Sequence, residues 1–243
     1  MEKITAVILA KNEEQTIATV LKHLSWTHEQ IVVDNGSTDN TVRVARKQGA
    51  VVLSVPEKDF SRMRNEAAKK AKGDWLLYID ADEEISPELK HEILSVTHGE
   101  CQAYFIKRKN YYFNTQWPHS DGMIRLIYKP ALKGWQGRLH ETAHINGSIG
   151  TLKNVLIHRS HNTLEDMLSK TNDWSEIEAD LRFASHHPPV VSWRFFRVFM
   201  TGFCDSYFRQ KGWKVGTIGL IESIYQGFSL FITYAKLWEK QRK

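Results

Sequence analysis

Cysteine is almost absent from this sequence: Cys101 and Cys204 are the only two in 243 residues. They make neither a disulfide framework nor a zinc spacing. That excludes small stapled secreted folds and zinc ribbons and points to a reducing compartment. Phosphate-cradling glycine loops are missing too. Neither G-x-x-x-x-G-K-[ST] nor G-x-G-x-x-G follows any strand pattern, which argues against P-loop and dinucleotide-binding chemistry. The N-terminal stretch MEKITAVILAKNEE carries a short apolar run followed by acids and no signal-peptide cleavage pattern. There is no internal repeat and no low-complexity segment. In the C-terminal tail the longest stretch without a charged side chain, Ser223–Ala235, is shorter than the roughly 18 residues of a spanning helix.

What is present looks like a soluble globular chain, with 42% hydrophobic and 25% charged residues and length for one large domain or two small ones. The net charge of +5 is unevenly placed. Residues 190–243 hold nine Lys or Arg against three acids, whereas 24 basic and 25 acidic residues nearly cancel over 1–189. The basic residues of the tail alternate with Trp, Phe and Ile. That interleaving favours an anionic membrane surface over nucleic acid, which a polar basic stripe would suit.

The first hundred residues alternate between apolar runs and helical patterns. Thr5–Ala10, Gln30–Asp34, Ala50–Val55 and Trp75–Asp80 read as strands. Between them lie a helix with Ile17, Val20, Leu21 and Leu24 on one face, a helix after Ser37-Thr38-Asp39, and a helix over Arg62–Ala71. Ser86-Pro87 opens another, with Ser as N-cap and Pro in the first turn. Continuous apolar strands alternating with helices predict an α/β fold with a mostly parallel sheet covered on both faces. From Ala103 to Tyr128 the pattern turns β-rich and aromatic, with strands over Ala103–Asn110 and Met123–Tyr128 and a loop around Gln116-Trp117-Pro118. Thr163 starts a long helix ending near Ser185, His186-His187-Pro188-Pro189 breaks it, and helical periodicity resumes from about Gly216 to Trp238.

Ligands of such sheets bind beyond the carboxyl ends of the strands, and the polar clusters sit there: Lys11-Asn12-Glu13, Asp34-Asn35-Gly36-Ser37 and Asp80-Ala81-Asp82. Taken singly, the second could be a turn with capping residues and the third a solvated loop. The run YIDADEE, Tyr78–Glu84, ends an apolar strand in four acids, and like charges that close need compensation. A divalent cation is the simplest one. Hard carboxylate oxygens suit Mg²⁺ or Mn²⁺ bridging two phosphates, and the cation stabilises charge on a departing diphosphate.

The ordered set ILAKNEE, VVDNGSTDNT, FSRMRNEAAKKAKGDWLLYIDADEE and GRLHE resembles the inverting family-2 glycosyltransferases of GT-A fold. Within them it resembles the bacterial branch that adds glucose or related sugars to lipopolysaccharide inner core and other surface glycans. The match covers roughly residues 1–160. The resemblance implies a nucleotide-sugar-binding half over 1–100, an acceptor-side half over 101–160 and a C-terminal helical region over 161–243. It places Asn12 and Glu13 at the nucleoside, Asp34 at the base, Asp80 near ribose and metal, and Asp82 as the direct metal ligand. It puts Arg64 at the diphosphate, Glu141 as the general base and His158 at the metal or diphosphate. The common Glu-Asp pair of the family is here His140-Glu141, and Asp121 is the next candidate base. The Q-x-x-R-W block of processive synthases is absent, since Gln210-Lys211-Gly212-Trp213 lacks the arginine, which implies single-sugar addition.

The expected activity is therefore metal-dependent transfer of one sugar, glucose above others, from a UDP-sugar to a glycan or glycolipid hydroxyl. Mn²⁺ or Mg²⁺ is the expected cofactor, with no nucleic-acid partner. The expected location is the cytoplasm, peripheral on the inner membrane's cytoplasmic face. A sugar-nucleotide pyrophosphorylase is one alternative, although ILAKNEE lacks its glycine-rich basic loop. An inactive sugar- or lipid-binding relative is another.

Overall fold

The structure is a computed structural model and describes residues 2–56 and 59–243. Its elements run β1 (Ile4–Ala10), α1 (Ile17–His23), β2 (Glu29–Asp34), α2 (Thr41–Lys47), β3 (Val51–Ser54), α3 (Phe60–Lys70), β4 (Trp75–Asp80), β5 (Glu83–Ile85) and α4 (Pro87–Val96). There follow β6 (Ala103–Tyr112), β7 (Thr115–Tyr128), β8 (Leu132–Gln136), β9 (Thr142–Ile145), β10 (Ile149–Thr151) and β11 (Leu156–Ser160). Last come α5 (Leu164–Ala184), α6 (Ser192–Cys204) and α7 (Gly216–Gln241). The chain divides into two compact units, residues 1–109 with 121–158, and residues 110–120 with 159–243.

The first unit is built on the sheet β3-β2-β1-β4-β7-β6-β11-β5, with β10 beside β6. β1 pairs in parallel with both β2 and β4, β2 in parallel with β3, and β7 returns antiparallel to β4. Both faces of the central strands are buried, as their unbroken apolar runs require. Along β1 and β4, Ile8, Ala10, Leu77 and Ile79 pack with Ile17, Leu21, Leu89 and Ile93 of α1 and α4. Their alternate neighbours Val7, Leu9, Leu76 and Tyr78 pack with Met63 and Ala67 of α3 on the other face. Ile17, Val20, Leu21 and Leu24 are all buried, as the helical pattern predicts. Ser86 caps α4 by accepting from the Leu89 N–H at 3.2 Å, with Pro87 in the first turn.

One reading of the sequence is corrected. Gln116-Trp117-Pro118 is not a loop but part of the 14-residue strand β7, and only Phe113 and Asn114, both at positive φ, turn the hairpin. The acid run also continues as structure, because Glu83–Ile85 forms β5, antiparallel to β11.

In the second unit α7 packs on α5 and α6, around Ala179, Val190, Val198, Tyr234 and Leu237. The Thr163 side chain caps α5 by accepting from the Asp166 N–H at 3.1 Å, and α5 ends at Ala184, just before the His-His-Pro-Pro break. The polar side of α7 is tied inward. Glu222, 1% exposed, accepts from Gln226 Nε2 at 2.7 Å and meets His161 Nδ1 at 2.9 Å. The Tyr225 hydroxyl donates to the Met167 carbonyl at 2.9 Å.

Candidate active site

The loops after β1 and β2 are laced together by the residues singled out there. Asn12 holds φ 57, a left-handed conformation that Asn tolerates. Its Oδ1 accepts from the Thr38 N–H at 2.8 Å, and its own N–H donates to Ser37 Oγ at 2.9 Å. The Glu13 N–H donates to Thr41 Oγ1 at 2.7 Å. Asp34 is buried at the end of β2 and accepts from the N–H groups of Gly36 (3.2 Å) and Ser37 (3.2 Å), so its carboxylate shapes its own turn.

At the end of β4 the compensation for the acid cluster comes from arginines. Arg125, on β7 and 0% exposed, donates through Nη2 to Asp80 Oδ2 and to Glu83 Oε1. Arg108, on β6, donates to Glu83 Oε1 at 3.1 Å and clamps Asp121 through two bonds of 3.0 and 2.6 Å. Glu83 in turn accepts from the Asp80 N–H at 2.9 Å, closing the loop on itself. Burial raises the Asp80 carboxyl, but Arg125 and then Arg64 outweigh it and hold Asp80 well below the usual carboxylate range. Glu83 goes the other way, pushed up by its complete burial and by the Asp80 charge against the pull of Arg125. Burial opposes the charge on Arg125 and Arg108, yet their carboxylate partners raise both above the ordinary arginine value.

The helix α3 brings the FSRMRN block to the same place. Asp59 caps it by accepting from the Arg62 N–H at 3.0 Å, and one turn on Arg64 is buried, its guanidinium over the rings of Tyr78 (5.3 Å) and Trp135 (4.9 Å). Arg64 Nε donates to Glu141 Oε1 at 2.8 Å, and its Nη2 lies 3.5 Å from Asp80 Oδ1. Among the described residues its buried Nη1 has no partner. Asn65 grips β8, donating to the Trp135 carbonyl (2.9 Å) and accepting from the Trp135 N–H (2.8 Å). The Phe60 N–H donates to the Arg138 carbonyl at 3.0 Å. These bonds fix the segment that carries Glu141 against α3. Burial pushes the Tyr78 phenol up to about 12, so it is neutral at ordinary pH.

Three residues were the metal candidates. The register that sets His158 opposite Glu83 brings His158 Nε2 to 3.3 Å from Asp82 Oδ2. Neighbouring ligands on an octahedral cation with bonds of about 2.1 Å lie roughly 3 Å apart, so this oxygen and nitrogen fit adjacent positions on Mn²⁺ or Mg²⁺. The Asp80 carboxylate belongs to the arginines. Among the described residues no group of three or more His, Cys, Asp or Glu side chains could hold a metal, so the remaining ligands would come from a bound diphosphate or water.

The structure thus gathers Arg64, Asp80 and Glu141 through one guanidinium, pairs Asp82 with His158, and binds Asn12 to the loop that follows Asp34. Arg125 and Arg108 were not singled out in the sequence. The available signal was an arginine inside the apolar strand run MIRLIY, which buries a charge that must find a partner.

These acids and arginines lie at the carboxyl ends of the strands of a mostly parallel sheet, where ligands of α/β folds bind. Residues 5–162 match the model of glycosyl transferase family 2, and the chain belongs to that family. Over its full length it is 31% identical to an uncharacterised glycosyltransferase of Rickettsia typhi, covering 89% of that protein. It is 24% identical to the lipopolysaccharide core biosynthesis glycosyltransferase LpsC of Rhizobium meliloti, over 98% of this chain and 92% of that one. Among solved structures it is similar to glucosyl-3-phosphoglycerate synthase from Mycobacterium tuberculosis in complex with Mn²⁺, UDP and glucosyl-3-phosphoglycerate. That match has 21% identity over 77% of this chain and 81% of that one, with a TM-score of 0.49.

Proposed function

We propose that this glycosyltransferase moves a single sugar, glucose above others, from a UDP-sugar to a hydroxyl of a lipopolysaccharide-core or other surface glycan, with inversion at C1. The observation that carries the reading is the placement of Arg64. Its buried Nη1 has no acceptor among the described residues, which costs about 1–3 kcal/mol while unmet, and a diphosphate oxygen would supply one. The same guanidinium holds Glu141 at 2.8 Å, so the donor's leaving group and the base meet at one side chain. The similarity to LpsC along nearly the whole chain supports the acceptor class.

In this reading Asn12, Glu13 and Asp34 bind the nucleoside, with the Asp34 carboxylate accepting from the uracil N–H. Asp80, kept ionised by Arg125 and Arg64, lies toward the ribose. Asp82 and His158 would hold Mn²⁺ or Mg²⁺, which when bound neutralises the diphosphate as it departs. Glu141 takes the proton of the acceptor hydroxyl as the oxygen forms its bond to C1 and the bond from C1 to the UDP oxygen breaks. General-base assistance of this kind is typically worth on the order of 10²–10⁴-fold. Arg64 keeps Glu141 oriented for that role.

Incubation with Mn²⁺ and a panel of UDP-sugars, following slow release of UDP, tests the donor. UDP-glucose should be hydrolysed fastest, and no turnover of any UDP-sugar would refute the reading.

A further inference from the structure

The helix α6 and the connection that follows it, residues 192–215, leave their largest apolar groups outside. Phe196 is 72% exposed and Trp193 58%, three residues apart on one face. In the turns after α6, Phe208 and Trp213 are exposed as well. The opposite side of α6 is the packed one, because Val198 and Gly202 are buried and Phe195 meets Phe231 of α7 at 5.6 Å. The exposed groups are therefore surplus to the core. Soluble surfaces do not commonly gather four large aromatics in so short a segment.

Cations surround these rings. Arg194 and Arg197 lie over the Trp193 ring at 5.8 and 5.4 Å, and Lys214 over Trp213 at 5.6 Å. Over residues 192–215 there are five Lys or Arg and one acid, Asp205, which is bonded to Arg209 and Gln210. A second copy of this chain docking through the same face would bring like charges together. A bilayer interface rich in anionic lipid satisfies both features, since aromatic rings sit at headgroup depth while basic side chains reach the phosphates.

We propose that this face of α6, with the connection after it, is a docking surface for an anionic lipid bilayer, and that the protein lies on the membrane without crossing it. One helical stretch, Gly212–Gln241, is long and apolar enough to span by length and composition. Its polar side, however, is committed to the fold through Glu222, Ser223 and Tyr225, and Glu222 pairs with His161. Spanning would strip a carboxylate of those partners in hydrocarbon. The inference is independent of the transfer reaction.

Sedimentation of the full chain with vesicles tests it. The protein should pellet with phosphatidylethanolamine–phosphatidylglycerol vesicles at low salt, be released at high salt, and ignore phosphatidylcholine alone. Each basic side chain near the surface is worth about fivefold in affinity, so R194Q/R197Q should weaken binding roughly 25-fold. W193S/F196S should weaken it tenfold or more with the same far-UV spectrum and melting temperature as wild type. Should either double variant fold poorly, brominated lipids supply a readout on the unmodified chain, where tryptophan fluorescence should be quenched. Equal binding to neutral vesicles, no quenching, or an unaffected W193S/F196S would overturn the proposal. So would an oligonucleotide displacing the vesicles, or a dimer abolished by F196S.

Discussion

Replacing Arg125 by Met tests the electrostatic account of the strand end. Met keeps much of the volume and removes the charge. Arg125 is fully buried and shared between Asp80 and Glu83, and removing one partner of a buried pair costs about 3–5 kcal/mol because the other charge is left behind. Two observations move the estimate to the lower end. Glu83 keeps Arg108 at 3.1 Å, and the Asp80 side chain is 30% exposed, so solvent screens part of its loss. About 3 kcal/mol then corresponds to roughly 6–12 °C in melting temperature for a chain of this size. The pH dependence has a definite sign. The wild-type Asp80 carboxyl is depressed, so its contribution is present above its unfolded value near 4 and lost as pH falls through the folded one. In the variant Glu83, already raised, rises further and is relieved by protonation as pH falls. The Asp80 contribution is constant between pH 8 and pH 5, so over that range the Glu83 trend alone narrows the gap between wild type and R125M. Thermal melts followed by circular dichroism across that range measure it, and adding Glu83→Gln to the variant should restore more than half of the loss. A melting temperature within about 2 °C of wild type at pH 7, or a gap that does not change with pH, would refute the reasoning.

Asp82→Ala should abolish transfer and the Mn²⁺ dependence of UDP binding in calorimetry while leaving the fold intact; unchanged metal-dependent UDP affinity would count against the ligand role. Glu141→Gln can still accept from Arg64 Nε, so donor binding should persist while transfer falls by on the order of 10² or more. Transfer within a few-fold of wild type would move the base elsewhere, with Asp121 next. Arg64→Lys retains charge but neither the fork nor the stacking over Trp135, and should weaken UDP-sugar binding and turnover together in steady-state kinetics. Ser86→Ala removes the cap of α4 and should cost about 0.5–2 kcal/mol in urea unfolding with activity unchanged.

The strands β1 to β4 and the helices between them were legible because each depends on its own local pattern. A run such as TAVILA has one way to bury both faces, and Ser86-Pro87 and Thr163 announce helix starts whatever surrounds them. The polar clusters after those strands could be located for the same reason, since each follows its own apolar run. The long strand β7 was not, because Pro118 and the polar residues near it look like a turn. What holds that stretch lies far off in sequence: Trp117 Nε1 donates to Gln210 Oε1 at 3.0 Å across 93 positions. The short strands β8, β9 and β10 carry too few residues for a period of two to show. Arg125 was missed on similar grounds, since its carboxylates lie 45 and 42 residues earlier. The pairing of Arg64 with Glu141, 77 residues apart, joins two residues that sequence reading placed in the site separately.

That pairing and the arginine cluster answer the question raised by an apolar strand ending in acids. A bound cation can neutralise such an end only while it is bound, and a site that relies on it alone must reorganise at every turnover. Guanidiniums built into β6, β7 and α3 are permanent. They keep Asp80 ionised, hold Glu83 as a buried brace that accepts from the Asp80 N–H, and leave Asp82, two residues on, to face His158. The division follows from position. Asp80 and Glu83 are enclosed by strands whose arginines reach them, whereas Asp82 meets the neighbouring strand through an imidazole, which suits a shared cation better than a guanidinium does. In the proposed reaction, groups fixed before the donor arrives would need no reordering as charge develops on the leaving diphosphate, and such preorganisation is what makes electrostatic stabilisation effective.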